Sequence, residues 1–366
     1  MKPKVPQTFF KHKLSEYKKL IDDDIENYSN GIKYSTLLQY GVNTQIETDV
    51  FFNTLSRGGK RIRGALTILG YEMSGGKNTK MIVQVARAIE MIHAYILIID
   101  DIQDRSPMRR GDKSAHKKLS EYHSENELAG NSDHFGMSIA INSALSGMHA
   151  AQMILASVDI AEDLRLKIIS ILNRTMAITV HGQTNDIFNE VSDEVSEEDL
   201  NRVLKWKTAY YTLLNPLHVG MVLAGADCHV TDAITDYAVN TGIAFQITDD
   251  IISVFSEENH TGKNPMDDIK EGKKTILSVY ALHHTSSADK NFLIRMLGNT
   301  NLKLAEFIRV KDILIASGAL KNAQQLADEY IKLALESLHR EEKSRWTKEG
   351  VEFLIGFAKY IQTRTE

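Results

Sequence analysis

Apolar positions recur at helical spacing along most of the chain, and that rhythm is the first guide to the fold. Between Thr79 and Asp104, Ile82, Val85, Ala86, Ile89, Ile92 and Ile96 follow steps of three and four, the period of one helix face. A charged, amphipathic stretch from about 9 to 28 predicts a surface helix, and a shorter helix is expected from about 45 to 55. Helical patterning resumes near Phe135 and runs to about Glu190, then returns over roughly 197–225 and 231–255. A loop from Glu257 to Gly272 is expected to separate these from helices ending near Ile361. Between Ser106 and about Ser132 the chain is polar, with Gly130 and Asn131 near the end of the stretch. It reads as a loop, with a variable insertion at about 117–134. Ser196 and Asp199 stand at capping-box spacing and predict a helix start. No period-two alternation or repeat stands out. The pattern predicts a single all-α domain over 1–366, with an N-terminal extension at about 1–30.

Composition sharpens this only at a few points. Of five prolines, Pro3, Pro6, Pro107 and Pro265 fall in the expected tail or loops, and Pro216 is expected to start or kink a helix. Cys228 is the single cysteine, which excludes an intramolecular disulfide framework and fits a reducing compartment. A net charge of -5 gives no electrostatic footprint for nucleic acid. The basic N-terminus is not followed by an apolar signal region, and Ile96–Ile99 is far too short to span a bilayer. A soluble cytoplasmic protein, with no nucleic-acid partner and no stable membrane insertion, is expected.

The chemistry concentrates in carboxylates. Asp100, Asp101 and Asp104 close the apolar stretch that begins at Thr79. Positions i, i+1 and i+4 share one broad helix face, here with His93 and Leu97. Carboxylates so close raise one another's pKa values unless a cation lies among them. Oxygen-only ligation favours magnesium. Alone, this string reads more readily as the solvated end of a helix. A second cluster changes that: Gln246, Asp249, Asp250 and Ser253 share a face of another apolar helix. Two such sets can face each other across a bundle cavity.

Cations accompany both clusters. Gly58-Gly59-Lys60-Arg61-Ile62-Arg63 joins two glycines to three cations. Positive charge at a helix start opposes the helix dipole, which favours an anionic ligand there over a bare basic end. Arg109-Arg110-Gly111 follows the first cluster, Lys207-Thr208 lies in a helical stretch, and Lys263 and Lys273 bracket the loop after the second cluster. Singly, each lysine reads as a solvated surface charge. Together with the carboxylates they suggest a site for polyphosphate and metal ions.

These residues resemble the trans-prenyl diphosphate synthases, which include farnesyl and geranylgeranyl diphosphate synthases. The resemblance runs from about Gly58 to Thr275. It rests on Gly-Gly-Lys-Arg-Ile-Arg, Glu90 with His93, the first aspartate cluster, Arg109-Arg110-Gly111, Gly182-Gln183-Thr184-Asn185-Asp186, Lys207-Thr208, Phe245-Gln246 with the second cluster, and Thr261-Gly262-Lys263 ahead of Glu271-Gly272-Lys273. It implies the isoprenoid synthase fold, antiparallel helices around a deep cavity, as a homodimer. It implies head-to-tail condensation of isopentenyl diphosphate with an allylic diphosphate. Lys60, Arg63, His93 and Arg110 would hold the isopentenyl diphosphate. Asp100, Asp104 and Asp249 would bind three magnesium ions on the allylic diphosphate, and Arg109, Lys207, Lys263 and Lys273 would neutralise it. Thr208 and Gln246, with Lys207, would serve catalysis by stabilising the nearby carbocation. Asp101, Asp186 and Asp250 would support metal-bound waters and lysines. The departing pyrophosphate would take the final proton, so no protein base is nominated.

The sequence departs from the family pattern in places. Ser253 stands where the second motif usually ends in aspartate, Ile99 where many members carry histidine, and Gly64 where proline is common. Ala144-Leu145 and Met266-Asp267 replace glycine-aspartate and glycine-serine pairs. None removes an implied phosphate or metal ligand. In the family, bulky residues just before the first motif floor the cavity, which points to Tyr95 and Ile96. The helical wheel turns Tyr95 away from the carboxylate face, so its role comes from the resemblance alone. One aromatic at the fifth position, with a short motif, implies a twenty-carbon product, with farnesyl diphosphate next. A class I terpene cyclase and a non-catalytic partner subunit are the rival readings.

Overall fold

A computed structural model describes residues 6–256, 264–340 and 345–364. The chain opens with α1 (Pro6–Tyr40), α2 (Val42–Ser56), α3 (Ile62–Met73) and α4 (Thr79–Gln103). A two-stranded hairpin, β1 (Met108–Arg109) and β2 (Asp112–Lys113), follows, then α5 (Ala115–Glu125), α6 (Ser132–Ser157) and α7 (Glu162–Val191). Next, α8 (Glu197–Val203) runs without a break through a π-helical segment, Leu204–Leu214, into α9 (Asn215–Leu223). Then come α10 (Cys228–Ala233), α11 (Thr235–Phe255), α12 (Asp267–Glu271), α13 (Ile276–His284), α14 (Ser287–Met296), α15 (Leu304–Ala316), α16 (Ala319–Arg340) and α17 (Lys348–Thr363).

The packing follows the apolar faces. α4 sits at the centre, against α3 and α6, and buries Ile82, Val85, Ala86, Ile89 and Ile92 as its periodicity predicts. α11 packs against the π-helical segment and α16, and α3 against α9. A second apolar cluster joins α13 to α16 around Leu277, Phe307, Val310 and Leu314. Ser196 and Asp199 form the capping box expected of them, and Pro216 lies in the first turn of α9, where the π-helical segment gives way to α-helix.

Three expectations change. The N-terminal segment is part of the core rather than a surface appendage: Phe10, Tyr17, Ile21 and Ile25 are buried, and the Phe10 ring lies 4.9 Å from that of Phe353 and 5.2 Å from that of Phe357. The polar stretch read as loop and insertion contains α5, which buries Leu119, Ser120 and His123 against α6. Its apolar positions are too few to stand out in the sequence. The chain also forms a hairpin where none was expected. Its two-residue turn, Arg110-Gly111, has φ of 53° and 74°, the left-handed pair that suits tight hairpins. Among the described residues, α4 and α6 have the length and apolar composition to cross a membrane, although α4 is largely buried in the bundle.

The crossing of α3 and α9 depends on glycine at both contact points. A Cβ on Gly70 would stand 2.5 Å from the Leu217 carbonyl oxygen, and one on Gly220 would overlap the Thr67 carbonyl. Gly220→Ala is therefore expected to destabilise the protein by about 3 kcal/mol, measured by urea unfolding.

Candidate active site

Two cavities meet at Asp100. The larger, about 720 Å³, is lined by Lys60, Arg110, Asp186, Asp249, Asp250, Asp268, Lys273 and Arg364. The smaller, about 330 Å³, is lined by Tyr95, Ile96, Ile99, Met176, Val180 and Phe245, with Arg63 and His93 also on its wall. Asp100, Lys207, Thr208 and Gln246 border both.

The first carboxylate cluster closes α4, with Asp104 as its C-cap. Asp101 is buried, and Arg109 reaches it from the hairpin: its Nε donates to Asp101 Oδ1 at 2.7 Å, and a terminal nitrogen lies 3.4 Å from Asp100 Oδ2. Lys207, on the π-helical segment, lies 2.6 Å from Asp186 and 3.6 Å from Asp100. Burial alone would lower its pKa, but Asp186 and Asp100 outweigh that and hold it above the usual lysine value. Lys273 sits 2.8 Å from Asp104 and 2.9 Å from Glu271, and these carboxylates with Asp268 likewise outweigh its burial. Lys263 lies outside the described residues.

The second cluster faces the first from α11. The Thr208 hydroxyl donates to Gln246 Oε1 at 2.8 Å, and Gln246 Nε2 donates to Asp250 Oδ1 at 2.7 Å. This chain fixes the amide's orientation between the two helical segments. Burial raises the Asp250 carboxyl well above its usual pKa; the Gln246 bond opposes that, while Asp268 adds to it. Ser253 donates its hydroxyl to the Asp268 carboxylate, so α12 brings a carboxylate beside the position where the family motif would carry one.

The basic loop lies on the other side of the cavity. Lys60 Nζ donates to the Tyr360 hydroxyl at 2.7 Å, and Arg110 donates to the Gly58 carbonyl at 2.7 Å. Gly59 packs on the Arg110 guanidinium so closely that a Cβ would lie 2.9 Å from its Cζ. Arg63 donates to Thr212 at 2.7 Å, stands over the Tyr211 ring and contacts His93 Nε2 at 3.2 Å. Since guanidinium only donates, His93 Nε2 accepts and Nδ1–H faces the Tyr211 oxygen at 2.7 Å. Burial, reinforced by Arg63, keeps His93 well below its usual pKa and therefore neutral. The Arg63 Nε is buried without an acceptor among the described residues.

Two placements differ from the helical wheel and the motif pattern. Tyr95 lines the smaller cavity beside Ile96, because that cavity spans more of the α4 surface than the carboxylate stripe. Arg364, just past α17, has no motif to announce it. Its buried side chain pairs with Asp249 at 2.5 Å, donates to the Phe245 carbonyl at 2.9 Å and stacks on the Phe245 ring. Burial pushes the Asp249 carboxyl up, and Arg364 opposes that shift. Only the folded chain brings this terminus to the cavity.

The donor set fits magnesium. The candidate ligands are all carboxylates, of which Asp100 and Asp249 line the larger cavity and Asp104 does not, and no group of three His, Cys, Asp or Glu side chains among the described residues is arranged to hold an ion by itself. One or two carboxylates per ion, with water and phosphate oxygens completing the shell, is the way magnesium is usually held.

Facing carboxylate sets, a cationic loop and an apolar cavity define an enzyme that acts on prenyl diphosphates. The model of the polyprenyl synthetase family matches residues 45–314, and the chain belongs to that family of prenyltransferases. It is 31% identical to the geranylgeranyl diphosphate synthase of Saccharolobus solfataricus over 93% of this chain and 99% of that one. It is 31% identical to a short chain isoprenyl diphosphate synthase of Methanothermobacter thermautotrophicus, over 90% of this chain and 92% of the relative. The geranylgeranyl pyrophosphate synthase of Corynebacterium glutamicum, solved with isoprenyl diphosphate and magnesium, superposes with a TM-score of 0.91 at 26% identity, covering 96% of this chain and 99% of that one. The helices thus form the isoprenoid synthase fold.

Glu190 adds a pH dependence. Burial, then Asp186 and Asp104, raise its carboxyl from 4.5 to about 7. The ionised form is disfavoured in the fold, so the cost is absent below the unfolded value, grows as pH rises, and is complete above about 7. In chelator, Glu190→Gln is expected to match wild type near pH 4 and to exceed its stability by about 1–2 kcal/mol near pH 8, after allowing for solvent screening. Urea unfolding at both pH values checks this.

Proposed function

We propose that this protein condenses isopentenyl diphosphate head to tail with allylic diphosphates and releases geranylgeranyl diphosphate. Two carboxylate sets facing one cavity, with a cationic loop on one side and an apolar cavity beneath Asp100, carry that proposal. Lys60, Arg63 and Arg110 hold the isopentenyl diphosphate, with His93 keeping Arg63 in register as a neutral acceptor. Asp100, Asp104 and Asp249 would hold three magnesium ions, which would supply positive charge to the allylic diphosphate. Arg109, Lys207, Lys263 and Lys273 add positive charge to the same group. Thr208 and Gln246 turn oxygen dipoles toward the allylic carbons, and Asp101, Asp186 and Asp250 orient lysines and waters. The apolar wall excludes water from the cation.

Tyr95 and Ile96 bound the smaller cavity in this proposal and so limit the product. An aliphatic Ile96 favours twenty carbons over the fifteen of farnesyl diphosphate. A terpene cyclase would have no use for a second diphosphate site at Lys60, Arg63 and Arg110. The carboxylate of Asp268 beside Ser253 argues against a non-catalytic subunit. The single cysteine fits work in the cytoplasm.

A second copy of the chain is the expected partner. Met137, Ile141, Leu145 and Met153 are exposed on α6, as are Val180, Phe188 and Val191 on α7. From His134 to Ser157, α6 carries no Asp, Glu, Lys or Arg. Light scattering is expected to give about twice the 41.2 kDa chain mass, and a monomer would refute the dimer.

With magnesium, isopentenyl diphosphate and each allylic primer, purified protein is expected to yield a twenty-carbon diphosphate. Tyr95→Ala should lengthen the products. A hydrocarbon from a single prenyl diphosphate, or no use of isopentenyl diphosphate, would overturn the assignment. An unchanged product ladder in the variant would remove Tyr95 from its role.

A further inference from the structure

Arg61 lies inside the basic loop between the two residues assigned to isopentenyl diphosphate, Lys60 and Arg63, yet it does not line either cavity. Its residue surface is 4% exposed. The guanidinium instead points into the bundle, where three groups hold it. Nε donates to Asp22 Oδ1 at 2.7 Å, one terminal nitrogen donates to the Leu55 carbonyl at 2.8 Å, and the other lies 3.5 Å from Glu90 Oε2. Glu90 is itself occupied: its other oxygen accepts the Gly64 N–H at 2.8 Å and so caps the first turn of α3. A proline at 64 would have no N–H to give, and a Cβ there would stand 2.8 Å from Ile21 Cδ1, so glycine suits the position.

The loop backbone makes this anchoring matter. Gly58, Gly59 and Arg61 have φ of 85°, 105° and 50°. Glycine takes such values freely, but arginine does not, so the left-handed turn at Arg61 must be held from outside. Asp22 supplies the closest charged contact, and it comes from α1, a segment with no part in the motifs. Lys18, one turn earlier on α1, pairs with the same carboxylate. Burial raises the Asp22 carboxyl, and bonds from Lys18 and Arg61 outweigh it, leaving the group below its usual pKa and ionised.

We propose that Asp22 is a positioning residue for the isopentenyl diphosphate half of the site, acting through Arg61. This rests on the assignment of Lys60, Arg63 and Arg110 to that diphosphate. Removing the Asp22 charge leaves a buried guanidinium with one carbonyl and a long contact to Glu90. Arg61 then draws Glu90 away from the Gly64 N–H, or its backbone relaxes toward the right-handed region. Either change shifts Lys60 and Arg63, which flank it, while the carboxylates of α4 and α11 stay in register.

The test is steady-state kinetics of the full chain with magnesium and both substrates. Asp22→Asn is expected to raise KM for isopentenyl diphosphate about 5- to 20-fold, with kcat within about twofold and KM for the allylic primer unchanged. Asp22→Glu, which keeps the charge, should fall between the two. A uniform loss in kcat and both KM values, or a drop in stability with neither KM moved, would show a merely structural ion pair and overturn the proposal. Lys60→Ala separates the two levels. If it leaves KM for isopentenyl diphosphate unchanged, the site assignment itself fails. If it raises that KM and neither Asp22 variant does, only the role of Asp22 fails.

Discussion

Seven aspartates, Asp100, Asp101, Asp104, Asp186, Asp249, Asp250 and Asp268, crowd one region, and Asp101 and Asp104 are buried in it. Left to themselves they would repel or protonate. Much of the architecture is an answer to that constraint. Arg109 comes to Asp101 from the hairpin, Lys207 to Asp186 from the π-helical segment, Lys273 to Asp104 from beyond α12, and Arg364 to Asp249 from the end of the chain. Each cation must enter from a different element because α4 and α11 are already committed to their apolar faces. The site is thus where the helices are tied together, as well as where the chemistry would occur.

The same pairing shapes how ligands can enter. In the proposed site, a divalent ion on Asp104 or Asp249 would displace Lys273 or Arg364 from it, and a diphosphate arriving with the metal would offer those cations new partners. Metal and diphosphate together would therefore leave less unpaired buried charge than either alone. Asp250 differs, because its nearest partner is the neutral amide of Gln246. Burial, joined by Asp268 and Asp249, pushes its pKa up against that bond, whereas the lysines stay firmly charged.

The sequence displays what depends on local spacing. Helical periodicity, the paired aspartates and the Gly-Gly-Lys-Arg-Ile-Arg segment are short-range signals, and the structure brings them to common cavities. Features that depend on distant chain are silent. Arg364 pairs with Asp249 over 115 positions, and Lys60 rests on Tyr360 over 300. The π-helical segment is equally hidden, since nothing in Leu204–Leu214 departs from an ordinary helical pattern, yet its widened turns carry Lys207, Thr208, Tyr211 and Thr212 to the cavities. The helical wheel of α4 misplaces Tyr95 because a wheel describes one element, while a cavity wall is shared by several. Likewise α5 escapes the pattern because His116, Ser120 and His123, three of its buried residues, are polar.

Val180 and Ile187 bring the smaller cavity and the outer surface into one problem. Both line that cavity, yet they are 52% and 37% exposed, so on the α7 side the wall is about one side chain thick. On the α4 side, Tyr95 and Ile96 stand on a helix buried by α3 and α6 and have firm backing. In the proposed reaction, a growing apolar chain would meet resistance from α4 and comparatively little from α7. The exposed apolar residues of α6 and α7 lie on the face that would need covering, so whatever covers it also stiffens the thin wall. In the proposed reaction, product length would then depend on two things: the bulk of Tyr95 and the firmness of the α7 side.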